Sequence, residues 1–104
     1  MIRVSVLYLN QEGKRFDMDY YINKHMPMVS EALKSYGLAK AEVDKGISGP
    51  DPSASAQYLI MAYLTFDTLE HVHEGFKALG RQIMGDIPNY TDIEPQIQIS
   101  ELQG

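Results

Sequence analysis

Alternating or continuous apolar patterns, which are typical of β-strands, occur in four short segments of the chain. These segments are residues 3–9, 38–47, 57–66 and 95–102. The third, QYLIMAYLTF, has the strongest apolar pattern, whereas the second mixes alanine, valine and isoleucine with charged residues. Residues 10–13 form a turn cluster after the first strand, and the breaker-rich residues 48–56 predict a loop between the second and third strands.

A helical spacing of apolar residues follows the first strand. These residues are three or four positions apart, and they are Met18, Ile22, Met26, Val29, Leu33 and Tyr36. Asp17 is a good N-cap for this helix, and Gly37 is a natural C-terminal stop. Pro27 lies within the helix and lacks the N–H that would donate to the carbonyl of Asn23. We therefore expect a kink or a restart of the helix near His25.

A second helix is predicted after the third strand. The sequence Asp67-Thr68-Leu69-Glu70 resembles a capping box with Asp67 in the cap position. The apolar positions that follow are again spaced three and four apart, and they are Leu69, Val72, Phe76, Leu79 and Ile83. Residues 85–94 then form a connection that is long for a link between a helix and a strand.

The predicted order of elements is β-α-β-β-α-β, which is the split-βαβ or ferredoxin-like pattern. In that topology a four-stranded antiparallel sheet carries both helices on one face. The chain of 104 residues has the length of one globular domain, and no linker or repeat divides residues 1–104. The sequence therefore predicts a single α+β domain.

The predicted strands are apolar on both faces of the sheet, although two helices cover only one face. In the first strand Val6 and Tyr8 point one way and Leu7 points the other, and in the third strand Met61 and Tyr63 oppose the even-numbered apolar residues. An uncovered apolar face usually marks an interface or a ligand wall. We therefore expect a homodimer that stacks the two sheet faces and closes a dimeric α+β barrel. The alternative is that the loop of residues 48–56 folds over the sheet.

The composition excludes several classes of function. Cysteine is absent, which removes disulfides, thiolate catalysis and cysteine-based metal sites. Nine basic and fourteen acidic residues give a net charge of −5 without a basic stripe, so no nucleic-acid partner is expected. No signal peptide and no apolar run of membrane-spanning length is visible, which predicts a cytoplasmic protein without membrane contact. Without a phosphate loop, nucleophile elbow or dinucleotide fingerprint, we expect neither a metal ion nor a cofactor.

Histidine is the commonest acid–base residue near neutral pH, and the chain has three. Tyr21 and His25 are four residues apart and share one face of the first helix, where Pro27 disturbs the backbone. A half-buried imidazole at a cleft edge would suit proton transfer, with Tyr21 as its catalytic partner. The alternative, which spacing alone favours, is a histidine that bonds a backbone carbonyl and stabilises the kink. His71 and His73 point about 200° apart on a helix and cannot share one metal ion.

Further candidates for ligand contact are an asparagine and several tyrosines. Asn89 and Tyr90 lie in the long connection and are suited to donate to a ligand oxygen, with a self-packed loop as the alternative. Tyr8 and Tyr63 lie on predicted strands, where a tyrosine ring and hydroxyl suit the wall of a site for an aromatic or ketone-bearing ligand. The same two tyrosines would suit a dimer interface equally well.

Two separated motifs resemble the EthD family, which is named for ethyl tert-butyl ether degradation. They are Phe16-Asp17-Met18-Asp19-Tyr20-Tyr21 with His25-Met26-Pro27, and Met84-Gly85-Asp86-Ile87-Pro88-Asn89-Tyr90-Thr91-Asp92-Ile93-Glu94-Pro95. The resemblance covers essentially the whole chain, with residues 48–56 as its variable loop. It implies the dimeric α+β barrel, whose superfamily includes cofactor-free monooxygenases, lactone isomerases, polyketide cyclases and haem-degrading enzymes. The resemblance also implies that His25, Asn89 and Tyr90 are site residues, but it does not indicate which reaction is catalysed.

Two functions are compatible with these features. The first is a cofactor-independent enzyme, of isomerase, cyclase or oxidoreductase type, that acts on a small apolar oxygenated molecule in a catabolic pathway. His25 would move a proton, while Tyr21, Asn89 or Tyr90 would hold a carbonyl or enolate oxygen. The second is a non-catalytic accessory or ligand-binding protein that supports an oxygenase in the degradation of ethers or related compounds. A haem-binding role is a third alternative, and it requires a histidine that faces an open cavity.

Overall fold

One antiparallel sheet of four strands forms the framework of the molecule. The computed structural model describes all 104 residues, and its strands are β1 (Ile2–Leu9), β2 (Leu38–Lys45), β3 (Tyr58–Phe66) and β4 (Gln96–Glu101). Their order across the sheet is β2-β3-β1-β4, so the first and third strands lie in the centre. Every neighbouring pair is antiparallel, and the order of elements confirms the predicted ferredoxin-like βαββαβ pattern.

Two helical segments connect the strands. The first runs through α1 (Met18–Tyr20), a π-helical turn (Tyr21–His25), α2 (Met26–Leu33) and a final 3₁₀ turn (Lys34–Tyr36). The second is α3 (Leu69–Gly85), and a short 3₁₀ turn (Ile87–Asn89) follows it. None of these helices has the length and apolar character that crossing a membrane requires.

The disturbance expected near His25 takes the form of a π-helical turn instead of a kink. The amide of Met26 donates to the carbonyl of Tyr21, five residues earlier, and the helix continues past Pro27 without a break. Because a π-turn contains extra backbone per turn, it rotates Tyr21 and His25 inward, where both are buried. Ile22, which the spacing assigns to the apolar stripe, is rotated outward and is 43% exposed.

The helix ends depend on three short polar or flexible residues. Asp17 caps the first segment by accepting from the amide three residues later at 3.1 Å, and Gly37 ends it in the left-handed region with φ of 81°, both as predicted. The cap of α3 is Thr68, whose hydroxyl accepts from the amide of His71 at 3.1 Å. The prediction of Asp67 as the cap is therefore wrong by one residue, because its carboxylate pairs with the His71 imidazole at 2.6 Å.

The core lies between the sheet and the helices. One cluster joins the centre of the sheet to both helical segments, and its members are Val4, Val29, Leu33, Leu64, Phe66, Val72 and Ile83. A second cluster, beside the π-turn, contains three tyrosines, and its members are Tyr8, Tyr21, Ile60, Ala62, Tyr90 and Ile93. Leu69 departs from the predicted stripe of α3, since it is the first residue of that helix and lies 46% exposed outside both clusters.

The face of the sheet that carries no helix is apolar only along its two central strands. Strand register places Arg3, Leu7, Met61 and Tyr63 on this face, and all four are half-buried. The Arg3 guanidinium lies over the Tyr63 ring, 5.0 Å from its centroid. The outer strands contribute polar residues to the same face, namely Lys40, Glu42, Asp44, Gln96, Gln98 and Ser100.

Two glycines of α3 are expected to respond oppositely to substitution by alanine. At Gly80 an added Cβ would meet only the Cβ of Phe76 at 4.0 Å, so Gly80→Ala should raise the free energy of unfolding by about 0.5–1 kcal/mol through helix propensity. At Gly75 it would lie 3.0 Å from Leu33 Cδ2 and 3.2 Å from the Cβ of Tyr36. Overpacking there costs about 1–3 kcal/mol and reverses the gain. Urea unfolding of both variants checks this, and equal gains would contradict the close helix packing at Gly75.

Candidate active site

His25 is the last residue of the π-turn, and only 5% of its surface is exposed. Its ring stacks on that of Tyr21, with centroids 5.5 Å apart and an interplanar angle of 17°. The ring of Tyr90 also contacts the imidazole, at a centroid distance of 4.6 Å. The predicted pairing of Tyr21 with His25 on one face is therefore present, and two tyrosine rings restrict the orientation of the imidazole.

Asp86 binds the Nδ1 side of the imidazole. Its Oδ2 lies 2.9 Å from Nδ1 of His25, while its Oδ1 accepts from the Tyr20 hydroxyl at 2.7 Å and from Nδ2 of Asn89 at 2.9 Å. Partial burial raises the pKa of Asp86, but the hydrogen bonds from Asn89, Tyr20 and His25 outweigh it, so the pKa lies below its ordinary value. The carboxylate is therefore ionised at neutral pH.

An ionised Asp86 determines which nitrogen of the neutral imidazole carries the hydrogen. A carboxylate can only accept, so Nδ1 of His25 must donate to it. The lone pair of the neutral ring then lies on Nε2, on the side that faces Tyr90. A histidine oriented in this way by a carboxylate has the arrangement of a general base.

A chain of hydroxyl groups continues from Nε2 into the aromatic cluster. The Tyr90 hydroxyl lies 3.4 Å from Nε2 of His25, a long and weak contact, and 2.5 Å from the Tyr8 hydroxyl. Burial raises the pKa of Tyr8 and of Tyr90 above the ordinary value of 10.0, so both hydroxyls keep their protons. Asp86, His25, Tyr90 and Tyr8 thus form one continuous polar chain in an otherwise apolar interior.

A small cavity adjoins this chain between the sheet and the helices. Its volume is about 40 Å³, and Tyr8, Tyr21 and His25 are among the residues that line it. Aliphatic and aromatic side chains form the rest of the wall, and they include Val6, Met26, Val29, Phe76, Met84 and Ile97. Tyr21 makes no hydrogen bond within the cluster, and burial raises its pKa well above the ordinary value of 10.0. The residues that line the cavity therefore include one histidine and two tyrosines that keep their protons.

The segment after α3 holds Tyr90 and Asp86 against the start of the first helix. The carbonyl of Tyr90 accepts from the amide of Asp17 at 2.7 Å, and the Thr91 hydroxyl donates to the carbonyl of Arg15 at 2.6 Å. The amide of Arg15 donates in turn to Asp92 Oδ1 at 2.8 Å. Backbone and side-chain bonds between distant parts of the sequence therefore determine the position of the two groups that flank His25.

The two motifs that meet at His25 belong to a known family. The model of the EthD domain matches residues 12–94, which include both the π-turn and the segment after α3. The chain belongs to the EthD family. The crystal structure of an EthD-like protein from Ralstonia eutropha JMP134 is 41% identical, with a TM-score of 0.90 over 96% of this chain and 89% of that one.

More distant structures share the fold of this EthD chain. An EthD family protein from Bacillus halodurans C-125 is 20% identical, with a TM-score of 0.70 over 99% of both chains. A protein from Arabidopsis thaliana is 10% identical, with a TM-score of 0.68 over 99% of this chain and 95% of that one. Among proteins of curated function, none matches the sequence.

The EthD structure brings together some of the predicted site residues and separates others. Tyr8, Tyr21 and His25 line the cavity, and Tyr90 contacts the His25 ring without lining the cavity itself. Asn89 binds Asp86 from outside and does not line the cavity. Tyr63 lies on the helix-free face, where its hydroxyl donates to the Met61 sulfur, and the sheet separates it from His25. No group of three or more histidine, aspartate or glutamate side chains is placed to hold a metal ion.

Two residues that complete the EthD site, Asp86 and Tyr20, were missed by sequence reasoning. Asp86 is the C-cap residue of α3, where a carboxylate meets the negative end of the helix dipole. An aspartate at such an unfavourable position is a signal that could have been used. Tyr20 directly precedes the π-turn, and its hydroxyl bonds Asp86, which lies 66 positions away in the sequence. No simple spacing rule would have predicted this second contact.

Proposed function

We propose that this protein is a cofactor-independent enzyme that transfers a proton on a small, largely apolar, oxygenated organic molecule. The observation that carries the proposal is the Asp86–His25 pair, with Nδ1 and Oδ2 2.9 Å apart, at the edge of an apolar cavity. An apolar wall selects an apolar substrate, while the imidazole and the hydroxyls of Tyr8 and Tyr21 supply the convergent polar groups typical of a binding site.

The proposed reaction begins with a substrate that has a C–H bond next to a carbonyl group. Nε2 of His25 takes the proton, the C–H electron pair moves into the carbonyl group, and an enolate oxygen forms. The hydroxyl of Tyr21 or Tyr8 donates to that oxygen and stabilises its charge. In a substrate with a C=C bond conjugated to the enolate, return of the proton from His25 to the far carbon of that bond completes an isomerisation. Attack of the enolate carbon on a second carbonyl of the same molecule instead forms a ring and an alkoxide, which takes the proton back from His25 and completes a cyclisation.

Two effects supply the rate acceleration in this scheme. A positioned general base contributes about 10²–10⁴-fold, and one oxyanion donor contributes about 10²–10³-fold. Asp86 contributes by holding the imidazole in the tautomer that leaves Nε2 free to accept. The raised pKa of Tyr21 keeps its hydroxyl protonated as a donor throughout the accessible pH range.

The proposal is tested without knowledge of the natural substrate by hydrogen exchange at carbon. The protein is incubated in D₂O with a panel of simple ketones and lactones, and mass spectrometry follows incorporation of deuterium next to the carbonyl. We expect incorporation that exceeds the buffer rate and saturates with substrate. Saturable binding without any incorporation across the panel would overturn the enzymatic proposal.

A non-catalytic, ligand-binding function is the second candidate, as an accessory to an oxygenase that degrades ethers or related compounds. The observation that favours it is the Tyr90 hydroxyl, which lies 3.4 Å from Nε2 and shields the nitrogen that would act as base. In that case His25 and the tyrosines would only hydrogen-bond the ligand. Binding that saturates while deuterium incorporation stays at the buffer rate is the expected result for this function.

We propose further that two copies of the chain pair through their helix-free sheet faces. The half-buried apolar residues of the central strands support this, and so does Nε of Arg3, which is buried without a hydrogen-bond partner. A second copy can supply both an apolar cover and an acceptor. Light scattering at micromolar concentration is expected to give twice the chain mass of 11.7 kDa, and the mass of one chain would contradict the dimer.

A further inference from the structure

An apolar groove runs between α3 and the edge strand β4, on the helix side of the sheet. Its volume is about 120 Å³, and it shares the lining residues Val4, Phe76, Met84 and Ile97 with the cavity at His25. His73 and Ile99 line the groove but not the cavity, so they mark its far end. The groove and the cavity therefore lie side by side and share part of their apolar wall.

Three apolar side chains along the groove are exposed, whereas the other apolar side chains on the helix side of the sheet are buried or half-buried. Ile97 is 48% exposed, Ile99 is 44% exposed and Met84 is 43% exposed. Pairing of Ile97 with Val6 and of Ile99 with Val4 places both isoleucines on the helix side. The helix α3 packs against β1 and β3 and leaves β4 uncovered. An exposed apolar strip of this kind indicates a binding surface.

We propose that this groove binds the aliphatic chain of the molecule whose oxygen is held at His25. This inference rests on the function proposed above. The ligand would be a linear carbonyl compound with its oxygen at Tyr8, Tyr21 and His25 and its chain directed along Ile97 and Ile99. A cavity of about 40 Å³ admits only a few atoms, so a larger substrate would have to extend past the shared wall into the adjacent groove. A folded partner that covered the isoleucines from outside would not fill the part shared with the cavity.

The test measures the affinity for butanone, 2-hexanone and 2-octanone from the NMR shift of the His25 imidazole. Each methylene that enters the groove is expected to strengthen binding about two- to fourfold. The variant Ile99→Glu places a charge in the groove and should remove this dependence on chain length while leaving the affinity for butanone unchanged. Gln82→Glu adds the same charge on the exposed side of α3, away from the groove and from the helix-free sheet face, and should behave as the wild type.

The outcomes separate the failure of this inference from the failure of the proposed function. If butanone binds and longer ketones bind no better, the groove is not a chain-binding site, although the site at His25 remains. If no ketone shifts the His25 signal, both proposals fail. If Ile99→Glu, unlike Gln82→Glu, changes the molar mass by light scattering, a second copy covers the groove and the inference is wrong.

Discussion

Replacement of His25 by glutamine is expected to lower the rate of deuterium incorporation into ketones by about 10²–10⁴-fold. Glutamine retains a hydrogen-bonding side chain of similar reach but has no basic nitrogen, so the loss reports proton transfer instead of folding. The affinity for butanone should change much less than the rate, because the apolar wall and the hydroxyls of Tyr8 and Tyr21 remain. Mass spectrometry of the ketone measures the rate, and the NMR shifts of the cavity residues measure the affinity.

The matched control for this variant is His71→Gln, which changes a surface histidine that pairs with Asp67 far from the cavity. Its rate is expected to equal that of the wild type. A His25→Gln protein that is folded and exchanges within threefold of the wild-type rate would show that His25 is not the base. In that case the imidazole would serve only to hold Asp86 at the end of α3.

Strongly alkaline solution is expected to unfold the protein, because the tyrosines beside the π-turn resist ionisation in the folded state. Burial raises the pKa of Tyr8, Tyr21 and Tyr90 above the ordinary value of 10.0. The folded state therefore holds these protons more tightly than the unfolded chain does. The stabilisation is complete below pH 10 and is lost as the pH rises above it. Each pH unit above 10 removes about 1.4 kcal/mol for every tyrosine that stays protonated in the folded state, against a total stability of about 5–15 kcal/mol.

Urea unfolding at increasing pH measures this loss, and the near-ultraviolet absorbance of tyrosinate shows when the rings ionise. Tyr90→Phe removes one of the three groups, so its stability should fall less steeply above pH 10 even though the Tyr8 hydroxyl loses its partner. Tyr58→Phe is the control, since Tyr58 makes only a long contact with Gln96 at 3.4 Å. The same pH dependence in Tyr90→Phe and in the wild type would contradict the buried placement of Tyr90.

Much of the fold follows from local patterns in the sequence. The apolar run in residues 57–66 and the helical stripe through Val72, Phe76 and Ile83 predict β3 and α3, because each spacing is typical of one kind of secondary structure. Gly37 marks the end of the first helix since it alone accommodates the left-handed conformation there. These features depend on neighbours within a few positions, which is the range over which a pattern is informative.

The site was only partly predictable, because its geometry depends on contacts between distant segments. His25 and Tyr21 were predicted to share one helix face from their spacing of four residues. The π-turn keeps these two side chains on one buried face, while it turns Ile22 outward. Asp86 could not be assigned to His25, since 61 positions separate them and the link exists only after the sheet has formed. Tyr63 was assigned to a ligand wall because a strand pattern alone does not say which face meets the helices.

The bond between the Thr91 hydroxyl and the carbonyl of Arg15 closes a loop of 76 residues, and this has a consequence for the order of folding. Closure of so long a loop must be preceded by the contacts of the sheet, which bring the two segments together. Asp86 and Tyr90 therefore reach His25 late, after most of the chain has been synthesised and packed. A partly folded or nascent chain can contain the helix and its imidazole, yet it has neither the oriented tautomer nor the surrounding hydroxyls. The proton transfer proposed for His25 would thus be confined to the completed molecule.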